Sequence, residues 1–189
     1  MVESQIRNPQ LAELAATLAA HQRLANDIAA FLSPAQLAWQ PGPESWGVAQ
    51  CLEHLTLSIE NNELQVPGKM AAAGKPATPV YDRWKSGWIG GLIIRGATAG
   101  SRAVRTRPKF VPVTVRPDVL RRWQEKHDLL MSWIRAADGT DVTRVRIISP
   151  FLSILSYHLG DCFTLNVVHA ERHVLQAKKV KERPEFPKN

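Results

Sequence analysis

A chain of 189 residues with 44% apolar and 22% charged residues can bury a core as a single domain, expected to span residues 1–189. Two cysteines, Cys51 and Cys162, make no disulfide framework, no apolar run nears the roughly 20 residues of a membrane span, and Met1–Gln5 lacks the basic and apolar regions of a leader. The expectation is a cytoplasmic protein with no membrane partner.

The net charge of +7 is unevenly spread. Residues 83–122 hold ten Lys or Arg and a single acid, Asp118, whereas residues 1–82 hold eight acids and four bases. Such a segment is either a solvated loop or an anion-attracting rim over a site. Its arginines match no nucleic-acid reader motif, so nucleic acid is not the expected partner.

In chain order, Leu11, Leu14, Ala15, Leu18, Gln22, Ala25, Ile28 and Leu32 recur at three- and four-residue steps and predict a first amphipathic helix. Ser33-Pro34 reads as a cap followed by Pro at the first helical position. After the break at Pro41-Gly42-Pro43, a second helix is expected from Ser45 or Gly47 to about Gln65, stopped by Pro67-Gly68. Residues 66–115 show no sustained period and read as a long irregular insertion, with a short helix around Trp84–Arg95. Long loops of that kind in compact domains usually serve a site or move. Val119, Leu120, Trp123, His127, Leu130, Met131 and Ile134 then form one helical stripe, ended by Asp138-Gly139-Thr140-Asp141. Val145–Ser149 has strand character up to Pro150. A last helical region is expected from Phe151 to about Lys181, broken near Gly160, with Arg183–Asn189 as a frayed tail. Four long helices and little strand define an all-α fold, a four-helix bundle.

The chemistry points to three histidines. His169 and His173 lie four residues apart in a segment without Gly or Pro, so both imidazoles leave one helix face. His54 lies on the second helix. Late first-row divalent ions accept neutral imidazole, and three protein ligands leave positions open for water or substrate. Taken by themselves, the three residues are either a metal triad or two solvent-facing histidines and one core histidine.

Two stretches carry a resemblance. Leu37-Ala38-Trp39-Gln40-Pro41-Gly42-Pro43-Glu44-Ser45-Trp46-Gly47-Val48-Ala49-Gln50-Cys51-Leu52-Glu53-His54-Leu55 is similar to the start of the second helix in the DinB-like superfamily, which includes YfiT-type metal-dependent hydrolases and thiol-dependent transferases. Leu159-Gly160-Asp161-Cys162-Phe163-Thr164 through His169-Ala170-Glu171-Arg172-His173-Val174-Leu175-Gln176 resembles the other half of that signature. The resemblance implies a four-helix bundle in which His54, His169 and His173 are the metal ligands. It further implies a divalent ion, zinc or nickel ahead of iron or manganese, that activates a thiol or a water. Two departures stand out: Gly47 where members often have Ser, and the long basic stretch 66–115, so the substrate does not carry over.

Other residues have two readings each. Gln50, Ser58 and Asn61 share the face of His54, and Asn166 precedes His169 by three; they orient ligands or are solvated polar positions. Cys51 and Cys162 read as buried small hydrophobes. Glu171 and Glu53 diverge from the ligand faces and make poor general bases. His21, His127 and His158 have no partner at ligand spacing, and His127 reads as a core or groove residue. Trp84 and Trp88 anchor the basic loop or stack on substrate.

The expected function is a metal-dependent enzyme of thiol-transferase or hydrolase type acting on a small molecule, with a low-molecular-weight thiol as the transferase partner. The alternatives are a non-catalytic metal-binding or stress-associated protein, forming a homodimer through an exposed face, and an anion- or nucleic-acid-binding helical module.

Overall fold

The computed structural model describes residues 5–101, 106–150 and 153–188. Each expected helix has a local cause. Asn8 accepts hydrogen bonds from the backbone N–H groups of Gln10 and Leu11 and so caps α1 (Pro9–Ala29), with Pro9 in the first turn, where its missing N–H costs nothing. Ser33 and Gln36 form a reciprocal capping box on the short α2 (Pro34–Ala38). Helix α3 (Val48–Glu63) starts at Gly47, whose N–H donates to Gln50 Oε1. A Cβ at Gly47 would sit 2.0 Å from the Trp39 carbonyl oxygen, so the α2–α3 connection admits only glycine at this position.

Two further helices lie inside the expected irregular insertion, α4 (Val66–Ala73) and α5 (Trp88–Ala97). The expected stop at Pro67-Gly68 is a correction: Pro67 sits in the first turn of α4, where a helix tolerates proline, and so opens a helix instead of closing one. Gly90 in α5 is likewise no breaker. A Cβ there would lie 2.0 Å from Asp161 Oδ2, and the bare backbone lets α5 approach the helix beneath it. A 3-10 turn (Pro108–Phe110) leads to α6 (Val119–Ala136).

The expected strand is β1 (Arg146–Ile148). It pairs antiparallel with β2 (Ser156–His158), Ile147 opposite Tyr157. The last helix, α7 (Leu159–Lys181), therefore begins after a strand, not at Phe151, which lies outside the described residues. Gly160 falls in its first turn, against Trp84, where a Cβ would be 2.6 Å from the indole.

The long helices α1, α3, α6 and α7 pack so that α3 and α1 each touch both α6 and α7, while α5 lies against α7. One apolar cluster gathers Leu11, Leu18, Ile59, Leu130, Ile134 and Phe163; a second gathers Ile28, Val48, Leu52, Trp123 and Val174. Burial of such side chains contributes on the order of 1.5–3 kcal/mol each, and it fixes the facing sides of α3 and α7. Arg122 of α6 clamps Glu53 (2.7 Å) and Glu60 (2.9 Å) of α3, a buried charge group that helps set the register of the two helices. The tail is another correction: Phe186 is buried edge-on against Trp39, and Gln36 Nε2 donates to the Pro187 carbonyl, so the chain is docked through Pro187. No helix among the described residues is long and apolar enough to cross a membrane.

Candidate metal centre

Helices α3 and α7 pack against each other, which brings His54 opposite the His169/His173 pair. The three rings form a closed cluster with centroids 4.6–4.9 Å apart, each pair meeting edge to face. One ligand atom from each ring lies within 4.8 Å of the others, so the three could hold one metal ion.

The hydrogen bonds decide which nitrogens point inward. His54 Nδ1 lies 2.7 Å from the Phe110 carbonyl oxygen. A carbonyl only accepts, so this nitrogen carries the proton and Nε2 keeps its lone pair. His173 Nδ1–H likewise donates to Gln176 Oε1 at 2.9 Å, one turn further along α7. His54 Nε2 is 3.0 Å from His169 Nε2, and two lone pairs at that distance repel unless a proton or a cation sits between them. With a metal–nitrogen distance of about 2.0–2.1 Å, adjacent ligand nitrogens are about 3.3 Å apart at a tetrahedral angle and about 2.9 Å apart at a right angle. The His54–His169 spacing fits cis ligands on one ion.

Electrostatics favour the neutral rings a cation needs. Burial pushes the His54 imidazole below its ordinary value, partly offset by the Phe110 carbonyl. Burial, then the neighbouring His173, His54 and Arg172, holds His169 well below the usual range. His173 is pushed down to about 3, chiefly by burial. At neutral pH, therefore, protons do not compete for these nitrogens.

Trp46 floors the cluster, tilted over His54 at 4.7 Å and His173 at 5.5 Å. Above it opens a cavity of about 400 Å³, with His54, Asn62, Tyr157, Asn166, His169 and Arg172 among its lining residues. Among the described residues no carboxylate lines this cavity. Deep in its wall Asn62 Nδ2 donates to Asn166 Oδ1 (3.1 Å), and Asn166 Nδ2 to the Cys162 carbonyl (2.8 Å).

The remaining expected residues divide. Ser58 lines the cavity but donates to the His54 carbonyl, not to its ring. Gln50 caps α3, and Asn61 accepts from Lys109, tying down the turn that carries Phe110. Asn166 faces the cavity and has no bond to His169. Cys51 and Cys162 are buried thiols raised to about 12 by burial, as small core groups are. Glu53 is committed to Arg122. His158 caps α7, its Nδ1 accepting from the Asp161 N–H. Trp84 is buried and anchors its loop, whereas Trp88 is 81% exposed.

The basic segment also divides. Arg107 lines the cavity, while Arg83 pairs with Glu13, Arg121 pairs with Asp118 and Glu125, and Arg122 is buried as above; Arg102 and Arg105 lie outside the described residues. The residues that sequence reasoning passed over are Phe110, Gln176, Asn62 and Trp46. Gln176 alone had a legible signal, its position three residues after His173.

These features define a mostly helical protein whose two central helices present three neutral imidazoles beneath an open cavity. The chain belongs to the DinB superfamily, whose sequence model matches residues 14–177. No curated protein and no solved structure matches it.

Proposed function

We propose that the protein is a four-helix-bundle metalloenzyme of the DinB superfamily, with His54, His169 and His173 as the ligands of one divalent ion. The observation that carries this reading is the convergence of the three rings, with the Nδ1 protons of His54 and His173 drawn outward to Phe110 and Gln176. Three imidazoles suit zinc or nickel best. Such an ion, when bound, lowers the pKa of a thiol or water beside it.

The protein's own groups do the rest. Phe110 and Gln176 fix the ligand tautomers, Trp46 holds two rings in place, and the cavity leaves room for a small molecule against the histidines. A thiol held by the ion would release its proton to solvent and attack as thiolate, hydrolysis would use an ion-bound hydroxide, and in both the leaving atom would take its proton from solvent, because the lining offers no carboxylate among the described residues. The same lining favours, as second reading, a metal-binding protein without catalysis.

Equilibrium dialysis of the purified protein against zinc or nickel tests the centre. The expected result is about one ion per chain, lost in His169→Ala. Wild-type protein without stoichiometric metal contradicts both readings. Where metal binds, a screen of thiols against electrophilic acceptors separates enzyme from binder: turnover that disappears with His54→Ala supports the first, and none supports the second.

A further inference from the structure

A second opening reaches His173. A cleft of about 710 Å³ has Glu44, Trp46, His173, Gln176, Lys179 and Arg183 among its lining residues, and it shares Thr106, Arg172 and His173 with the cavity described above. His173 thus lines both spaces, of which the cavity is the more apolar. The cavity side is walled by Ile93, Ala97, Phe110, Leu155 and Leu165. The cleft side offers donors.

Three observations make the cleft a place for an anion. Gln176 Oε1 is taken by the His173 Nδ1–H, which fixes the orientation of the amide and leaves its Nε2 protons for the cleft. Arg172 Nη1 donates to the Gly96 and Thr98 carbonyls and to Ser101 Oγ, all neutral acceptors, so the guanidinium is held in place with its charge uncancelled by any ion pair among the described residues. Lys179 is exposed at the rim and also lacks an ion pair among those residues. Among the described residues Glu44 is the one acid of the lining, and Arg183 already has Glu185 at 3.5 Å. A desolvated or partly buried anion meeting two cations and an amide donor forms charge-assisted hydrogen bonds, the strong kind.

We propose that the ligand of this centre is an anionic amphiphile, its acidic end in the cleft at Arg172, Gln176 and Lys179, its apolar body in the cavity, and the atoms between them against the histidines. The assignment of those middle atoms as the reacting ones rests on the metal reading above. The two-sided binding itself does not.

The test compares three probes on the wild-type protein, metal-free and zinc-loaded, by titration calorimetry: octanesulfonate, octanol and methanesulfonate. A sulfonate is a poor metal ligand, so its binding reports the cleft and not direct ligation. Octanesulfonate is expected to bind at least about tenfold tighter than either partial probe, since about tenfold is what one good charge-assisted contact contributes. Lys179→Glu, an exposed change that does not threaten folding, should weaken octanesulfonate about tenfold and leave octanol unchanged. Ala97→Phe should remove the advantage of the octyl chain and leave methanesulfonate unchanged. Equal binding of octanol and octanesulfonate overturns the anionic end, and equal binding of the two sulfonates overturns the apolar body. Indifference to Lys179→Glu overturns the place of the anion. A wild-type protein that shows this ranking yet takes up no metal would overturn the metal reading while upholding the two-sided site.

Discussion

The same helical fold buries histidines in two ways. His54, His169 and His173 face one another, with the Nδ1 atoms of His54 and His173 bonded to oxygen and Nε2 lone pairs left over. On α6 and α1, His127 and His21 are also buried, yet among the described residues both ring nitrogens of His127 and Nδ1 of His21 have no hydrogen-bond partner. His127 stacks on Trp123 at 4.1 Å, a packing contact. Burial lowers the pKa in both groups, His127 to about 3. A depressed imidazole therefore does not by itself mark a site. Convergence, with oxygen acceptors on the outer nitrogens of His54 and His173, is what sets the triad apart.

Four outcomes would break or sharpen this contrast. The largest is on metal affinity: His169→Ala or His54→Ala should weaken binding by more than about a hundredfold, beyond the range typical of losing an outer hydrogen-bond partner, whereas His127→Leu should leave it unchanged. Competition with a chelating dye measures both. Equal losses would erase the distinction between the two groups.

The second outcome is acid sensitivity of the metal-free protein. The unfolded chain protonates histidine near pH 6.5, and the folded chain holds these rings neutral down to about 3 for His127 and His173. Their stabilising contribution is full above about pH 6.5 and is lost as pH falls toward 3, at about 1.4 kcal/mol per pH unit for each such ring. Urea unfolding from pH 7.5 to 4.5 should show stability falling throughout that acid limb; a flat profile would contradict the burial argument. Saturating zinc should add stability at pH 7.5 and steepen the loss on acidification.

Smaller is the effect of Gln176→Leu, which removes the acceptor of the His173 proton and should cost about tenfold in metal affinity without changing the number of ions bound. A loss as large as that of His169→Ala would mean that Gln176 ligates. The smallest belongs to the core pair. His127→Leu removes two unpartnered polar atoms and should raise metal-free stability by about 1 kcal/mol while making the acid limb shallower.

Much of this contrast was legible before the structure, and the illegible part has physical reasons. The His169/His173 pair follows from helical spacing alone; His54 needed the resemblance of its surrounding motif, because nothing in spacing links α3 to α7. The Phe110 carbonyl could not be foreseen, since a backbone acceptor 56 residues from its donor leaves no trace in side-chain pattern. Helix α4 was hidden by punctuation that normally breaks helices, Pro67 standing in a first turn, whereas α5 (Trp88–Ala97) matches the short helix expected around Trp84–Arg95 with its ends displaced, its Gly90 making room for Asp161. The tail read as frayed because its prolines outweighed Phe186, one aromatic that Trp39 receives. The core pair was read correctly at His127, where an apolar stripe surrounds a lone imidazole.

The central claim is that three imidazoles, and not the buried histidines in general, hold a metal. X-ray absorption at the zinc edge of the loaded protein tests it directly. The account predicts a first shell whose multiple scattering fits three imidazoles in wild type and in His127→Leu, and two in His54→Ala. A shell dominated by oxygen, or one that His54→Ala leaves unchanged, would contradict it.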